Sequence, residues 1–484
     1  MSQILDAIAL HARTSPDAIA LSSRSERLTY PDLALAVERT AEKLAALAAF
    51  RPQGSPVGIE LPNSPAWVIL DLALIRLGWP SLPLAAFFSS EQRAHALADS
   101  GACFIIRGAG EAPVALEVAG ARLSLDILCP SGLRLPPTTA KVTYTSGSTG
   151  HPKGVCLSQG QMESVAGSLV EVIGASYAGR HLPVLPLSIL LENVAGLYST
   201  LIAGGEYRVL GPEELGQADP FRPDMPTLAA AIFDQQATSL ILVPELLRAL
   251  LMVMTFSGIT FPCLRLVAVG GAKVSPALLA RATDLGLPVF EGYGLSECAS
   301  VVALNTPASR KNGSVGRPLS HLKIRIGDDG EIIAGPQPFL GYAGGAEAPA
   351  EVHTGDIGHL DADGFLHISG RRGALIINAF GRNISPEWVE SELLAQPEIR
   401  QALVFGEAQP ELGALIVPLA PTMDEGVIAQ AVARANAALP AFAQIRRWRL
   451  RGPFDAAAGE LTGNGRPRRA VLLSRHGDFI EAPH

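Results

Sequence analysis

Cysteine is scarce in this sequence and unpaired in its spacing: Cys103, Cys129, Cys156, Cys263 and Cys298 are scattered over 484 residues. No two form a C-x-x-C or a metal-type cluster, which argues against a disulfide scaffold or a cysteine-held metal and predicts buried free thiols in a reducing compartment. Aromatic residues are sparse, at 6%. The longest apolar stretch, 66–88, is broken by Asp71, Arg76, Pro80 and Pro83, so it cannot cross a bilayer as a helix; a soluble protein of the cytoplasm is expected. Basic charge is also in deficit. A net charge of −8, with a pI near 5.7, argues against nucleic acid as the main partner. Lysine is missing altogether after Lys323. Internal repeats, heptads and low-complexity tracts are absent as well.

What is present is core-forming material in quantity. The chain is 48% hydrophobic, with 48 glycines and 37 prolines, and its length predicts two or more domains of tightly packed α/β layers with many short loops. Leu28-Thr29-Tyr30 leads into a helix-period run, Val57-Gly58-Ile59-Glu60-Leu61 reads as a strand, and Asn63-Ser64-Pro65 opens another helix. The βα rhythm recurs at 102–106, 239–243 and 264–269, which predicts a mostly parallel sheet covered by helices. From about Ser314 the texture changes to short strands with turns, the mark of a small β subdomain. Gly370-Arg371-Arg372-Gly373 then separates this body from a C-terminal segment of mixed helix and strand. The expected class is α/β: a large N-terminal body of βα layers with a small β subdomain over 1–369, a hinge at 370–373, and a smaller mobile α+β domain over 374–484.

The most informative segment is Tyr144-Thr145-Ser146-Gly147-Ser148-Thr149-Gly150-His151-Pro152-Lys153-Gly154. Its glycines let the backbone approach an anion, its hydroxyls and N–H groups donate, and Lys153 neutralises charge. The spacing is not that of a Walker loop, because Pro152 precedes the lysine and Gly154 follows it. A Ser/Gly-rich surface turn would have the same composition, but it need not follow an apolar strand directly or leave through Pro-Lys-Gly-Val.

Downstream stand Glu291-Gly292-Tyr293-Gly294-Leu295-Ser296-Glu297, Thr354-Gly355-Asp356, Gly370-Arg371 and Gly381-Arg382-Asn383-Ile384-Ser385-Pro386-Glu387. In this order the five motifs resemble the adenylate-forming superfamily of acyl-CoA synthetases, amino-acid adenylation domains and firefly luciferase, over roughly 28–469. The resemblance implies that a carboxylate attacks the α-phosphate of ATP, and that a thiol then opens the acyl-adenylate. It implies that Thr145, Ser146, Gly147, Ser148, Thr149, Gly150 and Lys153 hold phosphate, that Glu297 and Thr145 carry Mg²⁺, and that Ser296 touches the α-phosphate. Asp356 would accept the ribose hydroxyls with Arg371 nearby. Tyr293 would lie against adenine, Gly270-Gly271-Ala272 would line the nucleotide and acyl junction, and Glu291, Gly292 and Gly294 would bind the nucleotide.

The family's last motif carries a catalytic lysine that this chain lacks. Aligning Leu461-Thr462-Gly463-Asn464-Gly465-Arg466 with that motif puts Arg466 in its place, and the family's hinge position falls on Gly373 where Asp or Lys is usual. The run Leu185–Val194 resembles the pocket segment of long-chain fatty acyl synthetases and offers no Asp for an amino group, so a medium- or long-chain fatty acid is expected; the same run also reads as plain core. CoA is the expected co-substrate beside ATP and Mg²⁺, with an acyl carrier protein as the variant acceptor. A non-ligating member, such as a β-lactone-forming enzyme or a nucleotide-binding protein, is the other reading. Arg446, Arg447, Arg449, Arg451, Arg468 and Arg469 form a basic stretch that fits either acceptor or a merely solvated face.

Overall fold

The computed structural model describes residues 2–47, 54–128, 135–145, 152–219, 223–345, 348–462 and 466–480. Two large sheets build the N-terminal body. In one, Arg180–His181, Glu206–Arg208, Ser239–Leu242, Leu266–Val269 and Val289–Leu295 run parallel, and Ser300–Leu304 and Arg317–Pro318 extend it antiparallel. Every residue of Ser239–Leu242 is buried, which is why this strand reads as a continuous apolar run rather than an alternation. In the other, Val57–Glu60 lies parallel between Ser81–Pro83 and Phe104–Gly108, and Ser81–Pro83 borders the hairpin Thr139–Thr145/Lys153–Ser158.

Helix ends are written locally. Ser64 caps Pro65–Leu77, which starts on a proline and ends on a left-handed Gly78. Ser89 with Gln92, and Ser158 with Gln161, make reciprocal caps on Ser90–Ser100 and Gln159–Ile173. Pro65–Leu77 buries every residue from Ala66 to Leu74, so the long apolar stretch is an internal helix followed by an internal strand. Among the described residues no helix is long and apolar enough to cross a membrane.

The small β subdomain is a four-stranded antiparallel sheet of Lys323–Ile326, Glu331–Gly335, Val352–Leu360 and Leu366–Arg371. The separate C-terminal domain carries Ile399–Phe405, Leu412–Pro418 and Ile445–Leu450 around its own core, with helices Pro386–Leu394 and Glu425–Ala437.

One expectation needs correction. Cys103, Cys156 and Cys298 are buried as free thiols, but Cys263 is only half-buried, and Cys129 lies outside the described residues. In the run Leu185–Val194, Leu185, Leu187, Leu190 and Val194 are 5, 0, 6 and 0% exposed and pack in one cluster with Trp67, Tyr198 and Leu201, whereas Ser188, Ile189 and Leu191 are half-buried. Its second half winds into the π-helix Leu191–Tyr198, whose Glu192 is taken by His181 at 2.9 Å and Tyr207 at 3.0 Å.

Candidate active site

The hairpin Thr139–Thr145/Lys153–Ser158 presents the glycine-rich loop, with Thr145 opposite Lys153 at its mouth. Ser146, Gly147, Ser148, Thr149 and Gly150 lie outside the described residues. The feet of the loop are fastened to helix Ser90–Ser100: Tyr144 Oη donates to Asp99 Oδ2 at 2.7 Å, and His95 Nε2 donates to Pro152 O at 2.9 Å. Gly154 is required by sterics, because a Cβ there would sit 2.7 Å from Cζ of the crossing Tyr144 ring.

Lys153 is exposed, with Nζ 5.3 Å from the ring centroid of Tyr342. Tyr342 stands on Gly341–Tyr342, a short strand paired with the hairpin opposite Val155, and its Oη donates to Glu297 Oε1 at 2.9 Å. Glu297 in turn sits with Ser296 in the single turn Ser296–Cys298 that follows strand Val289–Leu295. Burial, with Glu297 beside it, pushes the Tyr342 phenol above its usual range. Tyr342 thus joins the lysine of one motif to the carboxylate of another. Sequence reasoning missed it, and the only signal was a Gly-Tyr pair in a chain with 7 tyrosines.

Gly270, Gly271 and Ala272 continue strand Leu266–Val269 past its end. Gly270 runs against the next strand so closely that a Cβ would lie 3.1 Å from the Gly292 carbonyl. Arg466, exposed and far away in sequence, donates from Nη2 to the Gly271 carbonyl. On the β subdomain, Asp356 faces Arg371 across the ladder, with Arg371 Nε 3.7 Å from Oδ1, and Tyr293 Oη donates to Oδ2 at 2.6 Å. Burial raises the Asp356 carboxyl above its ordinary value, against the Tyr293 hydrogen bond and the Arg371 charge, which lower it. The expected ribose carboxylate and adenine tyrosine are therefore hydrogen-bonded to each other.

Residues 8–343 match the AMP-binding enzyme family and 374–483 its C-terminal domain. The chain belongs to the AMP-binding enzyme family. Members similar to it include an oxalate–CoA ligase of Arabidopsis thaliana, 31% identical over 457 residues that cover 83% of this chain and 85% of that protein. A long-chain-fatty-acid–CoA ligase of Mycobacterium tuberculosis is 29% identical over 518 residues, covering 86% of each. The o-succinylbenzoate coenzyme A synthetase of Bacillus subtilis, solved with ATP and a magnesium ion, superposes with a TM-score of 0.76 at 25% identity, over 97% of this chain and 99% of that one. The expected α/β body with a separate C-terminal domain is that of the family, and the protein is an enzyme.

Within this family member, Glu291 carries a perturbed acid. It is 6% exposed, and burial raises its carboxyl to about 7, opposed by the Lys273 charge and the Val274 N–H. A carboxyl whose folded value exceeds its unfolded value binds its proton more tightly when folded, so its contribution favours the fold at low pH and is lost as pH rises towards 7. Glu291→Gln should flatten that segment of the stability curve and raise stability at pH 8 by on the order of 3 kcal/mol. Urea unfolding at pH 5 and 8 measures this; equal effects at both values would refute it.

The basic stretch is mostly spent inside the C-terminal domain. Arg451 and Arg475 pair with Glu460 at 2.8 and 3.0 Å, and Arg469 pairs with Glu390 at 2.5 Å. The Arg447 guanidinium lies 5.2 Å from the Phe405 ring centroid, and Arg449 lies 4.3 Å from that of Phe479. Of the six arginines expected to meet an acceptor, Arg446 and Arg468 are exposed.

Proposed function

We propose that the protein is an AMP-forming acid–CoA ligase for an apolar monocarboxylic acid, a medium- or long-chain fatty acid. The acid's carboxylate oxygen attacks the α-phosphorus of ATP and pyrophosphate leaves; the CoA thiol then attacks the acyl carbon, and AMP leaves as the thioester forms. The observation that supports this most is the Arg466 contact with Gly271, which brings a cation of the C-terminal domain onto the glycine strip of the body.

Thr145, Ser146, Ser148, Thr149 and Lys153 would take the outer phosphates, with Gly147 and Gly150 allowing close backbone approach. Ser296 would meet the α-phosphate, Tyr293 the adenine, and Asp356 the ribose beside Arg371. The donors fit magnesium: Glu297 and Thr145 offer hard oxygens, and among the described residues only Oε1 of Glu297 is engaged, by Tyr342. When bound, the ion neutralises phosphate charge. Tyr342→Phe leaves that carboxylate unaligned, so half-saturation by Mg²⁺ in pyrophosphate release should rise by about tenfold or more. An unchanged Mg²⁺ requirement would remove Tyr342 from the site. Residues 370–373 would serve as the hinge between the body at 1–369 and the C-terminal domain at 374–484. A Cβ at Gly373 would meet nothing within 4 Å, so sterics do not demand the glycine that stands there.

Pyrophosphate release across a panel of acids, followed by thioester formation with CoA or a carrier protein, tests the reading. Each buried methylene should add up to about 0.8 kcal/mol until the pocket ends, so efficiency should climb with chain length and then break. The core packing of Leu185–Val194 favours a second reading, a short or aromatic acid, and a maximum there would assign it. Transfer to carrier protein alone would change the acceptor. No pyrophosphate release with any acid would overturn the ligase and favour a non-ligating member.

A further inference from the structure

Arg248 lies on helix Pro244–Ser257, whose Leu247, Leu250, Leu251 and Met254 are buried in the body. Its guanidinium crosses to the other domain. Nη1 donates to the carbonyls of Leu394 at 3.1 Å and Ile399 at 2.7 Å, and Nη2 donates to that of Arg400 at 3.0 Å. Leu394 is the last residue of helix Pro386–Leu394, so its carbonyl has no partner further along the helix and sits at the negative end of the dipole. Arg248 therefore caps from outside a helix that belongs to the C-terminal domain. Burial lowers its basicity, with Glu245 opposing and Arg400 adding to that effect, and three carbonyls replace the water such a cation gives up.

The same helix is met a second time. Ser275 Oγ donates to the buried Glu392 Oε2 at 3.3 Å, while Ser275 also caps helix Pro276–Asp284 of the body. Ser275 stands four residues beyond Gly271, the residue whose carbonyl Arg466 reaches. Two anchors on one helix and the functional contact of Arg466 thus share a single interface.

We propose that Arg248 is a positioning residue that seats the C-terminal domain so that Arg466 reaches the glycine strip. This rests on the ligase reading for its kinetic consequence but not for its structural one. A lysine keeps the charge yet donates from one point, whereas the guanidinium fork spans carbonyls on both sides of the turn after Leu394. Arg248→Lys should therefore restore part of what Arg248→Ala loses.

The test combines hydrogen exchange of the full chain with half-reaction kinetics. Arg248→Ala should speed exchange at 271–275 and at 394–400, while the core strand Leu266–Val269 stays protected. Acyl-adenylate formation should fall by about 10²-fold in kcat with little change in the KM for ATP, since misplacement of Arg466 is the cause. Thioester formation from supplied acyl-adenylate should persist, and adding Arg466→Ala should cost little more. Normal exchange at 271–275 in Arg248→Ala, or fully additive losses with Arg466→Ala, would overturn the proposal. If Arg248→Ala does not fold, Arg248→Lys carries the same comparison at smaller amplitude. A wild type that makes no adenylate sinks the ligase reading alone, because the exchange result still decides whether Arg248 seats the domain.

Discussion

Lys141→Ala should destabilise the protein by about 3–5 kcal/mol, the largest stability loss expected of a single substitution here. Lys141 and Asp71 are 1% and 0% exposed and paired at 2.5 Å. Lys141 also donates to Ser81 Oγ at 2.9 Å, while Asp71 Oδ2 accepts from Tyr198 at 2.7 Å and Asn193 at 3.1 Å. Removing the lysine leaves a carboxylate in the core that water cannot reach. One network ties helix Pro65–Leu77 to strands Ser81–Pro83 and Thr139–Thr145 and to helix Leu191–Tyr198. Lys141 sits four residues before Thr145 on the strand that enters the glycine-rich loop, so ATP use should weaken together with stability. Urea unfolding of Lys141→Ala beside the double variant Lys141→Met/Asp71→Asn measures this. The double variant should recover part of the loss, because it removes both charges while keeping partners for Tyr198 and Asn193. A loss below about 1 kcal/mol in the single variant would show that water enters and that the pair is not a buried one.

Such a network is hidden from sequence reading because a charge inside an apolar run looks like an interruption. Asp71 served there only to exclude a membrane span. The strands buried on both faces were legible, since Ser239–Leu242 and Leu266–Val269 are continuous apolar runs ending in glycine or proline. Val352–Leu360 was not, because His353, Thr354, Gly355 and Asp356 fall on it and its burial follows no simple alternation. Leu185–Val194 shows a different limit: pocket and core share one apolar pattern. At the site, motif residues close in sequence were readable as groups. The links between groups were not. Tyr342 and Arg248 each act across more than 40 residues of chain, through contacts that only the fold creates.

The largest catalytic loss should come from Arg466→Ala, with acyl-adenylate formation down by about 10²–10³-fold, the usual effect of removing one preorganised donor from developing charge. No lysine follows Lys323, so on the proposed ligase reading an arginine is the candidate for the cation that the C-terminal domain brings to the carboxylate and α-phosphate. Arg466 is the one seen on the glycine strip: it is exposed, its backbone is tied to Thr462 by two hydrogen bonds at 2.8 and 3.0 Å, and its guanidinium touches Gly271. One competing cation is spent elsewhere. Arg469 is paired with Glu390 and bonded to the Val404 carbonyl, while Arg468 is exposed at the start of helix Arg469–Arg475. A guanidinium binds two oxygens in a fixed plane and an ammonium binds as a point, but both carry the charge. Arg466→Lys should therefore adenylate better than Arg466→Ala, and its rate relative to the wild type tells whether the fork or the charge matters. Thioester formation from supplied acyl-adenylate should be spared in both variants, which separates a lost reacting contact from a damaged fold. If Arg466→Ala makes adenylate at the wild-type rate while Arg468→Ala does not, the cation is Arg468, and the Gly271 contact only docks the domain.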